Sequence, residues 1–174
     1  MTSKNLLLLL SMAIALSACH PKPHPDAASA ATTTEQNGEG PDVLIPDTER
    51  NKVSLRGEIA KHQLTVVDFW ASWCGPCKRE MPNVVAAYKK YHKKGFEIVG
   101  ISFDDKKEDW VKAIKEWEMP WIHLSDLKGW YNTAHEVYAV DAIPDNILID
   151  PKGVVVTRDL RGADLEKKLD ELFK

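Results

Sequence analysis

Residues 41–174 predict an α/β domain: a central mixed β-sheet with helices on both faces, an N-terminal extension and a central insertion. Three observations lead there. Two near-continuous apolar runs flank a helix-length amphipathic stretch, the pattern of a right-handed strand–helix–strand crossover with parallel strands. Farther on, two short apolar runs meet across a tight turn, which adds an antiparallel hairpin. The amphipathic segments between and after these runs need apolar surface to cover, and the two faces of the sheet supply it.

The first run, residues 64–70, reads Leu-Thr-Val-Val-Asp-Phe-Trp, rich in the β-branched and aromatic types of a buried parallel strand. Residues 75–94 form the helix: Val84, Val85, Tyr88 and Tyr91 recur at helical spacing, and Gly95 supplies the stop. Residues 96–103, Phe-Glu-Ile-Val-Gly-Ile-Ser-Phe, are the second strand. Residues 107–118 put Trp110, Ile114 and Trp117 on one helical face ahead of Pro120, which cannot continue a helix. A short extended piece at 121–124 and a helix at 129–138 follow. The hairpin joins 146–149 to 154–157 across Asp-Pro-Lys-Gly, and a helix at 163–173 with Leu165, Leu169 and Leu172 closes the chain. There is no internal repeat.

The whole chain has 174 residues, 28% charged and 44% hydrophobic, the make-up of an ordinary globular protein. With 26 acidic residues against 23 Lys plus Arg the net charge is -3, so no nucleic-acid partner is expected. Three cysteines cannot form a disulfide framework, and the odd count needs a reason.

Residues 1–18 read as a lipoprotein signal peptide. Lys4 and the amino terminus precede residues 6–16, apolar apart from Ser11, and this run is too short to span a bilayer. It ends Leu-Ser-Ala before Cys19, small residues that resemble a bacterial lipoprotein box and would leave Cys19 lipidated; ordinary signal cleavage with a stray thiol is the alternative. Residues 19–40, with Pro21, Pro23 and Pro25 and then Ala, Thr, Ser and Gly, have no apolar period and read as a disordered tether. The expected location is outside the cytoplasm, lipid-anchored to a bacterial membrane and facing the periplasm or the extracellular side.

Chemistry concentrates where the first strand becomes the first helix, at Trp73-Cys-Gly-Pro-Cys77. Cysteines three apart at a helix start lie on one face, close enough to form a small disulfide ring. Unsatisfied amides and the positive end of the helix dipole stabilise a thiolate on the first, which lowers its pKa. The second, one turn in and more shielded, can resolve a mixed disulfide. A CxxC pair also serves as half of a zinc site, but no second pair follows, and no metal is expected. As a structural bridge it would close too short a loop to remove much unfolded-state entropy.

Residues 67–78, Val-Asp-Phe-Trp-Ala-Ser-Trp-Cys-Gly-Pro-Cys-Lys, resemble the active-site signature of the thioredoxin superfamily. The continuation Lys78-Arg-Glu-Met-Pro82, with residues 41–44 and 53–55, is similar to the TlpA/ResA-like branch of extracytoplasmic thiol-disulfide oxidoreductases. The resemblance implies a thioredoxin-like fold for residues 41–174. It makes Cys74 an exposed nucleophile and Cys77 a buried resolver, with Trp73, Gly75 and Pro76 around them at the substrate. Ile143-Pro144 falls at the superfamily's cis-proline, where the preceding backbone pairs with substrate. Asp68 matches a buried acid behind the CxxC; burial should raise its pKa and suit it to take the proton of Cys77. Glu80 matches an acid that lines the active-site surface in the ResA-like branch, and Pro82 should kink the helix. Trp70 and Trp73 are expected to wall the site.

Two departures stand out. Gly100 occupies the place of a lysine that pairs with the buried acid in many thioredoxins, and Asp145 replaces the usual Thr after the cis-proline. The functional expectation is reduction of protein disulfides through a mixed-disulfide intermediate. No cofactor is expected, because no dinucleotide motif exists; the resemblance implies electrons from a membrane thiol-relay protein. Two alternatives are a copper metallochaperone, using His123 or His135 beside the thiolates, and a thiol peroxidase, although the Thr-rich peroxidatic loop of peroxiredoxins is absent.

Overall fold

The computed structural model describes residues 42–174. The expected signal peptide, Cys19 and the tether lie outside the described residues. β1 (Leu44–Pro46) and β2 (Lys52–Ser54) form an antiparallel hairpin that leads into α1 (Leu55–Ile59). There follow β3 (Leu64–Trp70), α2 (Gly75–Tyr91), β4 (Phe96–Ser102), α3 (Lys107–Glu116), β5 (Ile122–Leu124) and α4 (Thr133–Tyr138). β6 (Asp145–Ile149), β7 (Val155–Arg158) and α5 (Ala163–Leu172) complete the chain. The main sheet has the order β5-β4-β3-β6-β7, in which β3, β4 and β5 are parallel and β6 is antiparallel to both neighbours.

The apolar runs dictate this order. β4 is buried along its whole length and β3 at every position after Leu64, so both occupy the interior of the sheet. Phe69, Trp70, Tyr91, Phe96, Phe103 and Trp110 are fully buried around them. Each such side chain contributes about 1.5–3 kcal/mol through the surface it removes from water.

Several boundaries differ from expectation for identifiable reasons. The last three residues of the 75–94 helix tighten into a 3₁₀ turn, and Gly95 stops the chain in the left-handed region at φ 98°. Pro82 lies inside α2 without ending it. α3 stops at Glu116, and Glu118 turns left-handed at φ 54°, so the helix ends before Pro120 acts. The helix expected at 129–138 is split at Asn132. That residue is extended; its Oδ1 accepts the Ala134 N–H at 2.8 Å to cap α4, while its Nδ2 donates to the Ser102 carbonyl at 3.1 Å. β1, β2 and α1 were not anticipated, because strands of three residues are too short to show a period. Local polar bonds define them instead: Ser54 Oγ accepts the Gly57 N–H at 2.8 Å and donates to Asp42 at 2.6 Å.

The register aligns Asn146, Asp68, Gly100 and His123 across four adjacent strands. Gly100 is there because His123 fills the space beside it. A Cβ at Gly100 would sit 2.5 Å from His123 Nδ1 and 3.0 Å from Trp70 Nε1, and both rings are buried. Alanine normally stabilises a strand relative to glycine. Here Gly100→Ala is expected to cost about 1–3 kcal/mol by overpacking. Urea denaturation checks this, and the double variant with His123→Ala should lose less than the sum of the single losses. Purely additive losses would mean that the two residues do not compete for space.

Candidate active site

The loop after β3 delivers Cys74 to the start of α2. Cys74 is extended (φ −82°, ψ 97°) and is the N-cap, its Sγ accepting the Cys77 N–H at 3.1 Å. The first turn of a helix has N–H groups without intrahelical partners, so the sulfur sits where a negative charge is favoured. Pro76, in the first turn, loses nothing by lacking an N–H. A Cβ on Gly75 would meet only the Arg79 guanidinium, at 3.6 Å, so glycine here leaves room beside the sulfurs rather than relieving a clash.

Cys74 and Cys77 are joined in a disulfide, with an S–S distance of 2.04 Å and Cα atoms 5.2 Å apart. The expected contrast in exposure between them is small in this oxidised form: Cys74 is 4% exposed and Cys77 1%. Position separates the two instead: Cys74 is the N-cap and Cys77 lies within the first turn of α2. The Ile143–Pro144 peptide is cis.

Asp104 fixes the loop beneath the cysteines. Its carboxylate accepts the Ser72 N–H at 3.0 Å, the Ser72 hydroxyl at 2.5 Å and the Ser102 hydroxyl at 2.7 Å. Sequence reasoning does not single out Asp104, because its partners come from two strand ends far apart in the chain. The Ser102 carbonyl in turn accepts from Ser125 Oγ at 3.0 Å and from Asn132. The segment between β5 and α4 is thereby tied to the active-site loop.

Trp70 and Trp73 part company. Trp70 is wholly buried, packed on Trp117 and on the edge of the His123 ring, and takes no part in the surface of the site. Trp73 is 55% exposed and lies 6.5 Å from Trp130, which contacts Phe103 and His135; Tyr131 beside it is 90% exposed. An aromatic ledge thus stands next to the disulfide. Trp130 and Tyr131 carried no motif that would have marked them.

Asp68 is buried in β3, and its Oδ2 has no hydrogen-bond partner. Burial pushes its pKa up to about 7; the negative charges of Glu80 and Asp145 add to the rise, and the Arg161 guanidinium opposes it. Glu80 does not face open solvent alone: its Oε1 accepts the Gly162 N–H at 2.6 Å, at the start of α5, and its Oε2 accepts from Asn83 at 3.2 Å. Asp145 is paired with Arg158 at 3.2 Å.

The two histidines considered for copper sit in aromatic surroundings. His123 is buried between Trp70 and Trp121, and burial lowers its pKa to about 3, partly offset by the Met119 backbone; neither ring nitrogen makes a hydrogen bond of normal geometry. His135 packs on Phe103 and Trp130. Among the described residues no three His, Cys, Asp or Glu side chains cluster to hold a metal.

A family model described as the AhpC/TSA family matches residues 37–158. The thiol-disulfide oxidoreductase ResA of Bacillus thuringiensis subsp. konkukian is 29% identical over 136 residues, 78% of this chain and 75% of that protein. A thiol-disulfide oxidoreductase from Bacteroides fragilis has a similar structure, with TM-score 0.71 and 33% identity over 77% of this chain and 98% of its own. The thioredoxin domain of a thiol-disulfide oxidoreductase from Bacteroides vulgatus gives 0.70 and 34%, over 78% and 96%. The match runs through most of the described domain, and on it the chain belongs to the AhpC/TSA family, with a thioredoxin-like fold.

Proposed function

We propose that this chain is a thiol-disulfide oxidoreductase that reduces disulfides in protein substrates outside the cytoplasm, held to a bacterial membrane by lipid on Cys19. The observation that carries the redox activity is the Cys74–Cys77 disulfide at the N-terminus of α2; the location and the lipid rest on the sequence of residues 1–19 alone. In the dithiol form, the Cys74 thiolate attacks one sulfur of a substrate disulfide. An S–S bond forms to Cys74, and the other substrate sulfur leaves as a thiolate that takes up a proton. Cys77 then gives its proton to Asp68, directly or through a water, and attacks Cys74 Sγ. The second substrate thiol is released, the substrate has gained two electrons, and the protein is left in the disulfide form.

A carboxylate whose pKa is about 7 suits this step, since near neutrality it can both accept and return a proton. Trp73, Gly75, Pro76 and the backbone at Ile143–Pro144 would border the bound substrate. Returning the disulfide to the dithiol needs two electrons and two protons from an external dithiol, and a membrane thiol-relay protein fits that role. Reduction is the favoured direction because Gly-Pro between the cysteines resembles thioredoxin, whose potential is about −270 mV.

The test is a redox titration of the full-length protein in thiol–disulfide buffers, read by Trp fluorescence, since Trp73 adjoins the bridge. A midpoint near the thioredoxin value supports a reductase. A midpoint near about −120 mV, the range of strong disulfide donors, overturns the direction. Absence of any Cys74/Cys77 transition overturns the function.

A further inference from the structure

The segment between β7 and α5 touches both halves of the active site. Along one side it is stitched to the strand that follows the cis-proline: Asp159 N–H donates to the Asn146 carbonyl at 2.8 Å, and Leu160 exchanges hydrogen bonds with the Asn146 side chain at 2.7 and 3.0 Å. On the other side the Gly162 N–H reaches Glu80 on α2, three residues past Cys77. Between these contacts Arg161 donates to the Pro144 carbonyl at 2.5 Å and to Asp159 Oδ1 at 2.5 Å.

Arg161 is also the cation that acts on Asp68. The groups facing that carboxyl are Glu80 from α2, Asp145 from β6 and Arg161 from this segment. On the β4 and β5 side the row continues with Gly100 and the neutral, buried His123. Asp145 has its own partner in Arg158 and Glu80 is held by a backbone amide, so neither needs Arg161 for its structure.

We propose that Arg161 is a positioning residue for thiol-disulfide exchange: its guanidinium fixes the Pro144 carbonyl, and with it the Ile143 backbone that pairs with a protein substrate, while its charge balances the carboxylates around Asp68. The inference rests on the function proposed above. Two separable properties follow. The hydrogen bond governs protein substrates, which lie along the Ile143 backbone, more than small disulfides, which do not. The charge governs the pH at which Asp68 changes state. Both bonds leave one guanidinium nitrogen, Nη2; a lysine at 161 would keep the charge, but its shorter, non-planar head would not place a donor at the same point.

The test compares Arg161→Met and Arg161→Lys with the full-length parent protein. Titration of Asp68 is followed by carboxyl carbon NMR, and turnover is measured on a disulfide-bonded protein and on a small aliphatic disulfide. Arg161→Met is expected to raise the Asp68 midpoint by about 0.5–1 pH unit, the effect of one half-exposed neighbouring charge. It should also raise KM for the protein substrate several-fold relative to the small disulfide. Arg161→Lys should restore the midpoint but not the KM. An unmoved midpoint in Arg161→Met, or equal losses on both substrates, overturns the proposal. If the parent protein turns over no disulfide, the proposed function fails while the NMR titration still decides the role of Arg161 toward Asp68.

Discussion

Replacing Cys77 with serine is expected to leave Cys74 covalently bound to its substrate. Cys74 is the N-cap, where a thiolate is favoured, whereas Cys77 lies within the first turn of α2 with its sulfur within bonding distance of Cys74. Release of the mixed disulfide is thus an intramolecular reaction between two held sulfurs. Losing such a step to reaction with thiols from solution should lower turnover about 10³-fold or more. The first attack, which needs only Cys74 at the helix start, continues. Cys77→Ser should therefore accumulate adducts that reductant removes, seen on non-reducing gels and by mass spectrometry, and Cys74→Ser should form none. Adducts on Cys74→Ser, or full turnover by Cys77→Ser, would reverse the assigned order of attack.

The stability of the oxidised protein should vary little between about pH 4 and 6.5, because two buried groups oppose each other there. Asp68 has its pKa raised from 3.8 to about 7. In this window the unfolded chain loses its Asp68 proton while the native state keeps it, so stability falls as pH rises. His123 has its pKa lowered from 6.5 to about 3. Here the unfolded chain holds a proton that the native state lacks, so stability rises with pH. Each contributes a slope of about 1.4 kcal/mol per pH unit, of opposite sign. Asp68→Asn should unmask His123 and become about 3 kcal/mol more stable from pH 4 to 6.5. His123→Leu should unmask Asp68 and lose a similar amount. Urea midpoints measured across this range decide it, with the exposed carboxylates common to all three proteins cancelling in the differences. Parallel pH profiles for the parent and Asp68→Asn would refute the opposition.

Both predictions depend on pieces of very different legibility. Residues 64–70 declare themselves as a buried strand because seven neighbours in sequence are also neighbours in space. The same holds for the face of α2 marked by Val84, Val85 and Tyr91, and for the hairpin around residues 150–153, where Asp150 Oδ1 accepts the Lys152 and Val154 N–H groups at 2.9 Å. The cysteine pair was readable for the same reason: its spacing is short and its position at a strand-to-helix corner is local. Asp104, Arg161 and the contest between Gly100 and His123 were not readable. Each depends on strand register or on a bond between residues many positions apart, as with Arg161 and Pro144. Asn132 was the intermediate case: asparagine favours helix starts, but the bond to Ser102 that holds it there is a product of the tertiary fold.

The packing of His123 against Gly100 also constrains how this protein could change over generations. Lysine beside the buried acid is not one mutation away. A side chain at position 100 crowds the imidazole, so acquiring the lysine also calls for a smaller residue at 123. Taken first, the change at 100 overpacks the sheet; taken first, the change at 123 empties space between Trp70 and Trp121. Either order passes through an intermediate of lower stability. The two electrostatic designs around Asp68 are separated by a valley, not joined by a slope, and this chain sits on the side where the charge is supplied by an arginine from beyond the sheet.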